Sequence, residues 1–525
     1  MATLSGVANA GLLAVINLSI DTASYEGLNF RYLLLFVIIF FVFITGKKYA
    51  LSKSTIIAEN IIRGVRERIT DKIRQSELYH IEDVGKSVFY TRLTLDTNII
   101  SECSVTIINS AQSAIMLVFC LMYIAILSKL AFMIVVSFLI GGAVVYLYSQ
   151  SSTIGELDEA ANKETEFFGL LEHILDGFKE IKINRKKNDH LFTFFRTVAA
   201  EAEKLKIKTG LTFVFNIMFS QAAFYIMIGI VVFLMPRLGE AYSDLLVRVT
   251  AAILFITGPV DNVVGSIQFI IRSDVAVGHI YQLESELDAS MRVYDADSSM
   301  PVKEIKSFNQ LCFDNVSYSY MDKKGRPLFT IGPANLSVRQ GETIFIVGGN
   351  GSGKTTFLKV LTGLYYPTSG TMKLNDQQVG IGRVSYPAYR EMFSVIFGDF
   401  HLFDRLYGLE GIDKDRVNEL LELMELDKKT SLADGRFSTI DLSTGQRKRL
   451  AMIVALLENK QIYIFDEWAA DQDPIFREYY YHILLKRLKD EGKTIIAVSH
   501  DDRYFHIADR VMKMEFGQFS EEMSA

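Results

Sequence analysis

The 525-residue sequence predicts a multi-domain membrane protein: a six-helix α transmembrane domain with long cytosolic helical extensions, followed by an α/β P-loop NTPase domain. Three observations predict it: a step in charge density near residue 290, a series of apolar runs before that step, and a glycine-rich phosphate loop after it. The averages, 50% hydrophobic and 22% charged residues with mean hydropathy +0.21, describe neither part. Residues 1–290 hold 25 Lys+Arg and 28 Asp+Glu, against 30 and 33 in the remainder, so charged density rises from about 18% to about 27%. Such a step marks a domain boundary. Acids exceed bases by the same small margin in both parts, which excludes the basic surface that nucleic acid demands. The composition also excludes disordered, collagen-like and disulfide-stapled chains. Cys103, Cys120 and Cys312 have no metal or redox spacing and suit a reducing compartment.

In chain order, the apolar runs cover about residues 4–20, 30–46, 105–127, 130–148, 211–235 and 245–268. A ~30 Å hydrocarbon core takes about 20 helical residues, and several runs are apolar on every side, where a soluble bundle would keep a polar face. The first run starts almost at Met1 without the basic flank of a signal peptide, and is expected to be the tail of a longer membrane helix. Residues 47–104 and 150–210 each carry 10 Lys or Arg, whereas the opposite loops hold only Arg31, Lys129 and Arg237. The basic loops therefore belong in the cytoplasm, with both chain ends. Their apolar residues recur at helical spacing, as in Ile61, Ile62, Val65 and Ile69, which predicts membrane helices continuing far into the cytosol.

Polar residues inside the runs are Asn109, Gln112, Asn216, Ser220, Gln221, Arg248, Asp261 and Asn262. They either line a cargo path or pack helices together, and the sequence leaves both readings open. Pro259 is expected to bend the last run. A polar linker over residues 291–307 leads into the second domain, residues 308–525.

There, a β-rich run from Thr343 leads into Gly348-Gly-Asn350-Gly351-Ser352-Gly353-Lys354-Thr355-Thr356 and then a helix. Glycines let backbone N–H groups surround phosphate oxygens, Lys354 reaches the β/γ-phosphates and Thr355 offers a hydroxyl to Mg2+. A second buried strand ends at Asp466-Glu467, suited to a metal shell and to polarising an attacking water. A third ends at Ser499-His500, at the ligand edge of a parallel sheet.

Between these lies Leu442-Ser443-Thr444-Gly445-Gln446, which resembles the signature of ABC ATPases, with Thr444 where the usual form has Gly. With the phosphate loop, Asp466-Glu467, Asp473 and His500 in order, residues 308–525 resemble an ABC nucleotide-binding domain. Preceded by six spans, the whole chain is similar to an exporter-type half-transporter of the type I ABC exporter fold.

The resemblance implies ATP and Mg2+ as cofactors and a homodimer. Tyr320 would stack on adenine. Ser443, Thr444, Gly445 and Gln446, with Asp473, would belong to the composite nucleotide site, Ser443 and Gly445 facing ATP held by the second copy. Segments near Gly85 and Gly177 resemble coupling regions. Gly398 replaces the usual Q-loop glutamine, the acidic residue and glycine common before the signature are absent, and Trp468 follows the presumed base. These departures, with Ser499-His-Asp-Asp-Arg-Tyr504-Phe505, resemble the bacterial cyclic-peptide and siderophore exporter group, similar to syringomycin and pyoverdine exporters. The implied setting is the bacterial inner membrane, with the nucleotide domain in the cytoplasm, a peptide cargo, and room for an outer-membrane or periplasmic export partner. A multidrug or lipid exporter, or a non-transporting membrane ATPase that regulates a partner, are the competing readings.

Overall fold

The computed structural model describes residues 1–26, 30–150, 153–234, 243–292, 305, 308–322, 324–380, 384–409 and 411–524. Of the expected loop over 21–31 only residues 27–29 lie outside the described residues, the rest being helical, whereas residues 236–242, Arg237 included, and most of the linker lie outside them. Two compact units result: Met1–Ser76 with Ile81–Ala289, and Glu77–His80 with Ser290–Ala525.

The first unit is helical. Its long helices are α1 (Ala2–Glu26), α2 (Phe30–Gln75), α5 (Thr97–Leu127), α6 (Lys129–Gln150), α7 (Thr153–Asp176), α9 (Arg185–Gly229) and α10 (Ser243–Arg292). Short helices α3 (Leu78–Val84) and α4 (Lys86–Thr91) follow α2, and α8 (Phe178–Ile183) follows α7. Among the described residues five helices are long and apolar enough to cross a membrane, while the apolar stretch of α1, Thr3–Ser19, is shorter. At 1.5 Å per residue the 46 residues of α2 and 50 of α10 run about 69 and 75 Å, more than twice a hydrocarbon core. The helical continuation expected of the basic segments is therefore present, and α10 runs through Pro259.

Why the helices break where they do is local. Gly85 sits between α3 and α4 at φ +82, a region that costs other residues energy, and Gly177 precedes α8. Asn184 caps α9 by accepting from the Lys187 N–H at 3.1 Å. Outside the apolar stretches, Ile69, Phe89, Ile280, Leu283 and Leu287 form a small core, flanked by ion pairs of Arg68 with Glu284 and Lys72 with Asp288. Deeper in the charged region, His279 bridges Asp158 (2.9 Å) and Asp96 (3.3 Å), with Arg92 against both His279 and Asp96. Within the spans, Asn262 pairs with Ser113 and Ser266 with Ser110, so part of the intramembrane polarity joins helices.

The second unit is α/β. Strands β1 (Gln310–Met321), β2 (Pro327–Arg339), β4 (Ser369–Leu374) and β5 (Gln377–Gln378) form an antiparallel sheet ordered β2-β1-β4-β5. The central sheet, ordered β12-β11-β3-β10-β9-β6, comprises β3 (Thr343–Val347), β6 (Phe393–Ile396), β9 (Ile462–Asp466), β10 (Thr494–Val498), β11 (Arg510–Glu515) and β12 (Gln518–Ser524). All its pairs are parallel except β11 with β12. Strands β3, β9 and β10 are buried along their whole length, which is why they read as unbroken apolar runs. Around the sheets lie α11 (Lys354–Leu361), α12 (Tyr386–Arg390), α13 (Lys414–Leu423), α14 (Thr444–Glu458), α15 (Pro474–Tyr479) and α16 (Leu485–Asp490), with a hairpin of β7 (Leu432–Ala433) and β8 (Arg436–Phe437). Because β3, β9 and β10 are parallel neighbours, their C-terminal ends converge, and with them the phosphate loop, Asp466-Glu467 and His500.

Candidate nucleotide site

The phosphate loop turns from β3 into α11 within six residues. Two glycines are dictated by space: a Cβ on Gly348 would lie 2.2 Å from the Met514 carbonyl oxygen, and one on Gly353, at φ +103, 2.9 Å from Ile331. Lys354 opens α11, is 6% exposed, and donates to the Gly348 and Gly349 carbonyls at 2.9 and 3.0 Å. Its ammonium also lies 3.9 Å from Glu467 Oε1. The loop hydroxyl Ser352 Oγ is buried with no hydrogen-bond partner among the described residues, a donor and acceptor suited to a phosphate oxygen.

Asp466 ends β9 at 3% exposure and accepts from Thr355 Oγ1 at 2.8 Å. Burial pushes its carboxyl above the usual carboxylate range, the Thr355 hydroxyl opposes that, and the adjacent Glu467 charge adds to it. Gly398, in place of the glutamine, turns its backbone N–H onto Asp466, so this position still touches the site through the main chain. A hydroxyl beside a carboxylate is an all-oxygen donor pair, the chemistry Mg2+ prefers, with phosphate oxygens able to complete the shell. Among the described residues no cluster of three His, Cys, Asp or Glu side chains offers a rival metal site.

Glu467 adopts left-handed backbone (φ 51, ψ 36), which turns its carboxylate out of the strand line. There Oε1 meets His500 Nε2 at 2.8 Å, with both side chains about two-fifths exposed. His500 is positioned by the turn after β10, where the Ser499 hydroxyl bonds Tyr481 at 2.7 Å and accepts from the Asp501 N–H at 3.1 Å. Thus Lys354, Thr355, Asp466, Glu467 and His500 come together as one site. Tyr320 lies beside it, its hydroxyl 3.4 Å from Thr356 Oγ1 and its ring edge-on to Tyr365.

The signature residues occupy their own place at the start of α14. Ser443 caps the helix by accepting from the Gln446 N–H, and Gln446 Oε1 accepts from the Ser443 N–H, a reciprocal box that holds both side chains. Thr444 is exposed beside them. A Cβ on Gly445 would lie 2.7 Å from the Asp471 carbonyl oxygen. Asp473 caps α15 by accepting from the Phe476 N–H at 2.9 Å and pairs with Arg449, and these contacts hold its carboxyl below the usual range.

Sequence reasoning missed the wiring beneath these residues. Lys448 is buried and reaches the Glu467 carbonyl oxygen (2.8 Å) and Asp471 (2.7 Å). Arg449, also buried, joins Glu425, Gln472 and Asp473 and lies 3.6 Å over the Phe476 ring. Trp468 is buried, donates to the Lys448 carbonyl at 2.9 Å and stacks on Tyr480, so it braces the site from within the core. The signal was available: Arg447-Lys448-Arg449 puts three cations in the first turns of a helix, where the dipole disfavours them unless acids or carbonyls wait nearby.

A nucleotide-binding sheet with this loop, strand-end acid pair and histidine defines a P-loop ATPase domain, here fused behind long membrane-type helices. Residues 331–470 match the family described as ABC transporter. The chain is 29% identical over 531 residues to the ATP-binding protein SyrD of Pseudomonas syringae pv. syringae, covering 98% of this chain and 91% of that protein. It is 25% identical to the subtilin transport ATP-binding protein SpaT of Bacillus subtilis over 68% of this chain and 56% of that one. The structure of a bacterial Atm1-family ABC exporter with ATP bound superposes with a TM-score of 0.75 at 17% identity, over 100% of this chain and 93% of that chain. This chain belongs to the ABC transporter family, as a half-transporter with fused membrane and ATPase regions and the type I exporter fold.

Proposed function

We propose that two copies of the chain form a homodimer in the bacterial inner membrane and use ATP to export a cyclic peptide, peptide siderophore or related peptide. That the protein is an ABC exporter whose ATPase drives transport is already given by its family and architecture. The peptide cargo is supported by one observation above the others: similarity to SyrD runs the full length of the chain, membrane helices included, instead of being confined to the ATPase. The altered signature flank, Gly398 and Trp468 favour the same group. In this reading α1 supplies the sixth span, and a periplasmic or outer-membrane partner can receive the cargo.

The side chains divide the chemistry. Loop N–H groups, Ser352 and Lys354 bind the phosphates, Tyr320 and Thr356 flank the nucleotide, and Thr355 with Asp466 would hold Mg2+, which when bound neutralises phosphate charge. Glu467 orients and polarises the attacking water, and His500 holds that carboxylate in place while facing the γ-phosphate. Ser443 and Gly445 face ATP on the second copy, so each site is completed only when two chains close. Closure is transmitted along the long cytosolic helices and hydrolysis resets the pair. The test is ATP-dependent uptake of peptides into sealed inverted vesicles containing the full chain. Peptide accumulation that vanishes in Lys354→Ala supports the reading, ATPase without flux favours a regulator, and flux of lipids or drugs alone favours the multidrug or lipid class.

A further inference from the structure

Within the helical unit, α5, α6, α9 and α10 enclose a cavity of about 320 Å³, lined mostly by apolar side chains. Phe138, Phe224 and Met227 line it along with the amide side chain of Asn216, which is 6% exposed. Among the described residues the Asn216 side chain makes no hydrogen bond, its backbone being paired within α9. A buried amide without a partner is costly; Asn262 avoids that cost by pairing with Ser113, whereas Gln112 Nε2 and Thr250 Oγ1 are also buried without a partner among the described residues but do not line the cavity. The polar groups also gather at one end. On the orientation set by the basic loops, α9 rises from the cytosol and α6 descends to it, so Asn216 and Tyr146 share the cytosolic end while Phe138 and Met227 lie deeper. Asn216 and Met227 are eleven residues apart, about 16 Å along the helix.

The cavity therefore has an apolar interior, and the Asn216 amide, with the Ser220 and Tyr146 hydroxyls, supplies donors and acceptors toward its cytosolic end. An apolar cavity of about 150 Å³ accepts a benzene ring, so this one has room for an aromatic or branched aliphatic side chain and the group that bears it. We propose that it is a cargo subsite: it seats one apolar side chain of a peptide, and Asn216 hydrogen-bonds the peptide group carrying that side chain. A peptide group offers both N–H and C=O to an amide, whereas an acyl chain would leave Asn216 unpaired. The inference rests on the peptide-export reading and narrows its substrate class.

The test uses the full chain in lipid nanodiscs without ATP, with two diazirine probes: N-acetyl-photophenylalanine amide and a diazirine fatty acid, with labelled peptides mapped by mass spectrometry. The capped residue should label α6 and α9 around the cavity. Asn216→Leu should lower that labelling about tenfold, the loss of one hydrogen bond to a buried group. Asn216→Gln should retain most of it, and Ala223→Trp, a substitution at a cavity-lining position of α9 that fills the space, should abolish it. Fatty-acid labelling should be indifferent to Asn216→Leu. Each variant is checked for a monodisperse elution profile, and a misfolded Asn216→Leu is replaced by Asn216→Val. Capped-residue labelling that is unchanged in Asn216→Leu, falls elsewhere, or is outcompeted by the fatty acid overturns the subsite. Intact cavity labelling without ATP-driven peptide flux in vesicles overturns the export reading instead, so the two failures are distinct.

Discussion

Two histidines of this chain, His279 in the helical unit and His500 in the ATPase, each rest on a carboxylate at nearly the same distance, 2.9 Å to Asp158 and 2.8 Å to Glu467. Their surroundings differ. His279 is 6% exposed, contacts a second carboxylate, Asp96, and faces Arg92, so its polar atoms are fully engaged by the protein. His500 and Glu467 are both well exposed at the mouth of a site whose loop hydroxyl, Ser352, has no partner. The same pair chemistry is a cross-link when it is enclosed and saturated, and a tool when it is open and incomplete. What decides between them is the number of unsatisfied groups nearby, because only those have interactions left for a ligand.

The comparison can be broken most forcefully at the open pair. Glu467→Gln keeps shape and hydrogen bonding but removes the carboxylate proposed as the base, and should lower the rate of phosphate release by about 10²–10⁴-fold while nucleotide binding persists. A wild-type rate in that variant would move the open pair into the structural class. At the closed cluster, Arg92→Met removes the cation from buried Asp96 and should destabilise the helical unit by about 3–5 kcal/mol, seen as a lower unfolding temperature of the purified protein. Between the two lies Trp468→Phe, which preserves the stack on Tyr480 but removes the indole hydrogen bond to the Lys448 carbonyl, an oxygen that keeps its helical partner in α14. A loss of about 1–3 kcal/mol is expected on thermal unfolding, with ATPase activity falling only as far as Glu467 is displaced.

A smaller effect is the pH response of the closed cluster. The hydrogen bond that His279 donates to Asp96 raises the His279 pKa above 6.5, burial opposes it, Asp158 adds to the rise and Arg92 opposes it. Because the folded value lies above the unfolded one, the histidinium stabilises the helices fully below about pH 6.5 and that contribution is lost as pH rises through the folded value. The unfolding temperature of the wild type should therefore fall on the alkaline side of that window, and His279→Gln should flatten the fall. The smallest effect belongs to the exposed cap of α9: Asn184→Ala should cost about 1 kcal/mol at most and leave ATPase activity unchanged.

Much of this was legible beforehand. The phosphate loop, Asp466-Glu467 and His500 follow unbroken apolar strands, and the parallel sheet brings those strand ends together. The extent of α2 and α9 followed from apolar spacing and basic loops, whereas the continuation of α10 past residue 268 did not. The closed cluster was not legible, since Arg92, Asp158 and His279 lie far apart in the chain on separate helices and none of them stands in a motif. Lys448 and Arg449 were in plain view as a basic helix start, but their partners were not. Among the intramembrane polar residues, Asn262 and Asn216 looked alike, and only packing separated the one that joins helices from the one that lines a cavity.

The sequence by itself determined the features written in neighbouring residues: the charge step, the membrane-type helices, the glycine loop whose backbone admits no side chain at Gly348, and the acids that end buried strands. Tertiary structure alone decided which polar groups are satisfied. Burying a charge or an amide is favourable or ruinous according to what lies across from it. For Arg92 and Lys448 that neighbour arrives from another helix or another loop, while the Asn216 side chain faces a cavity.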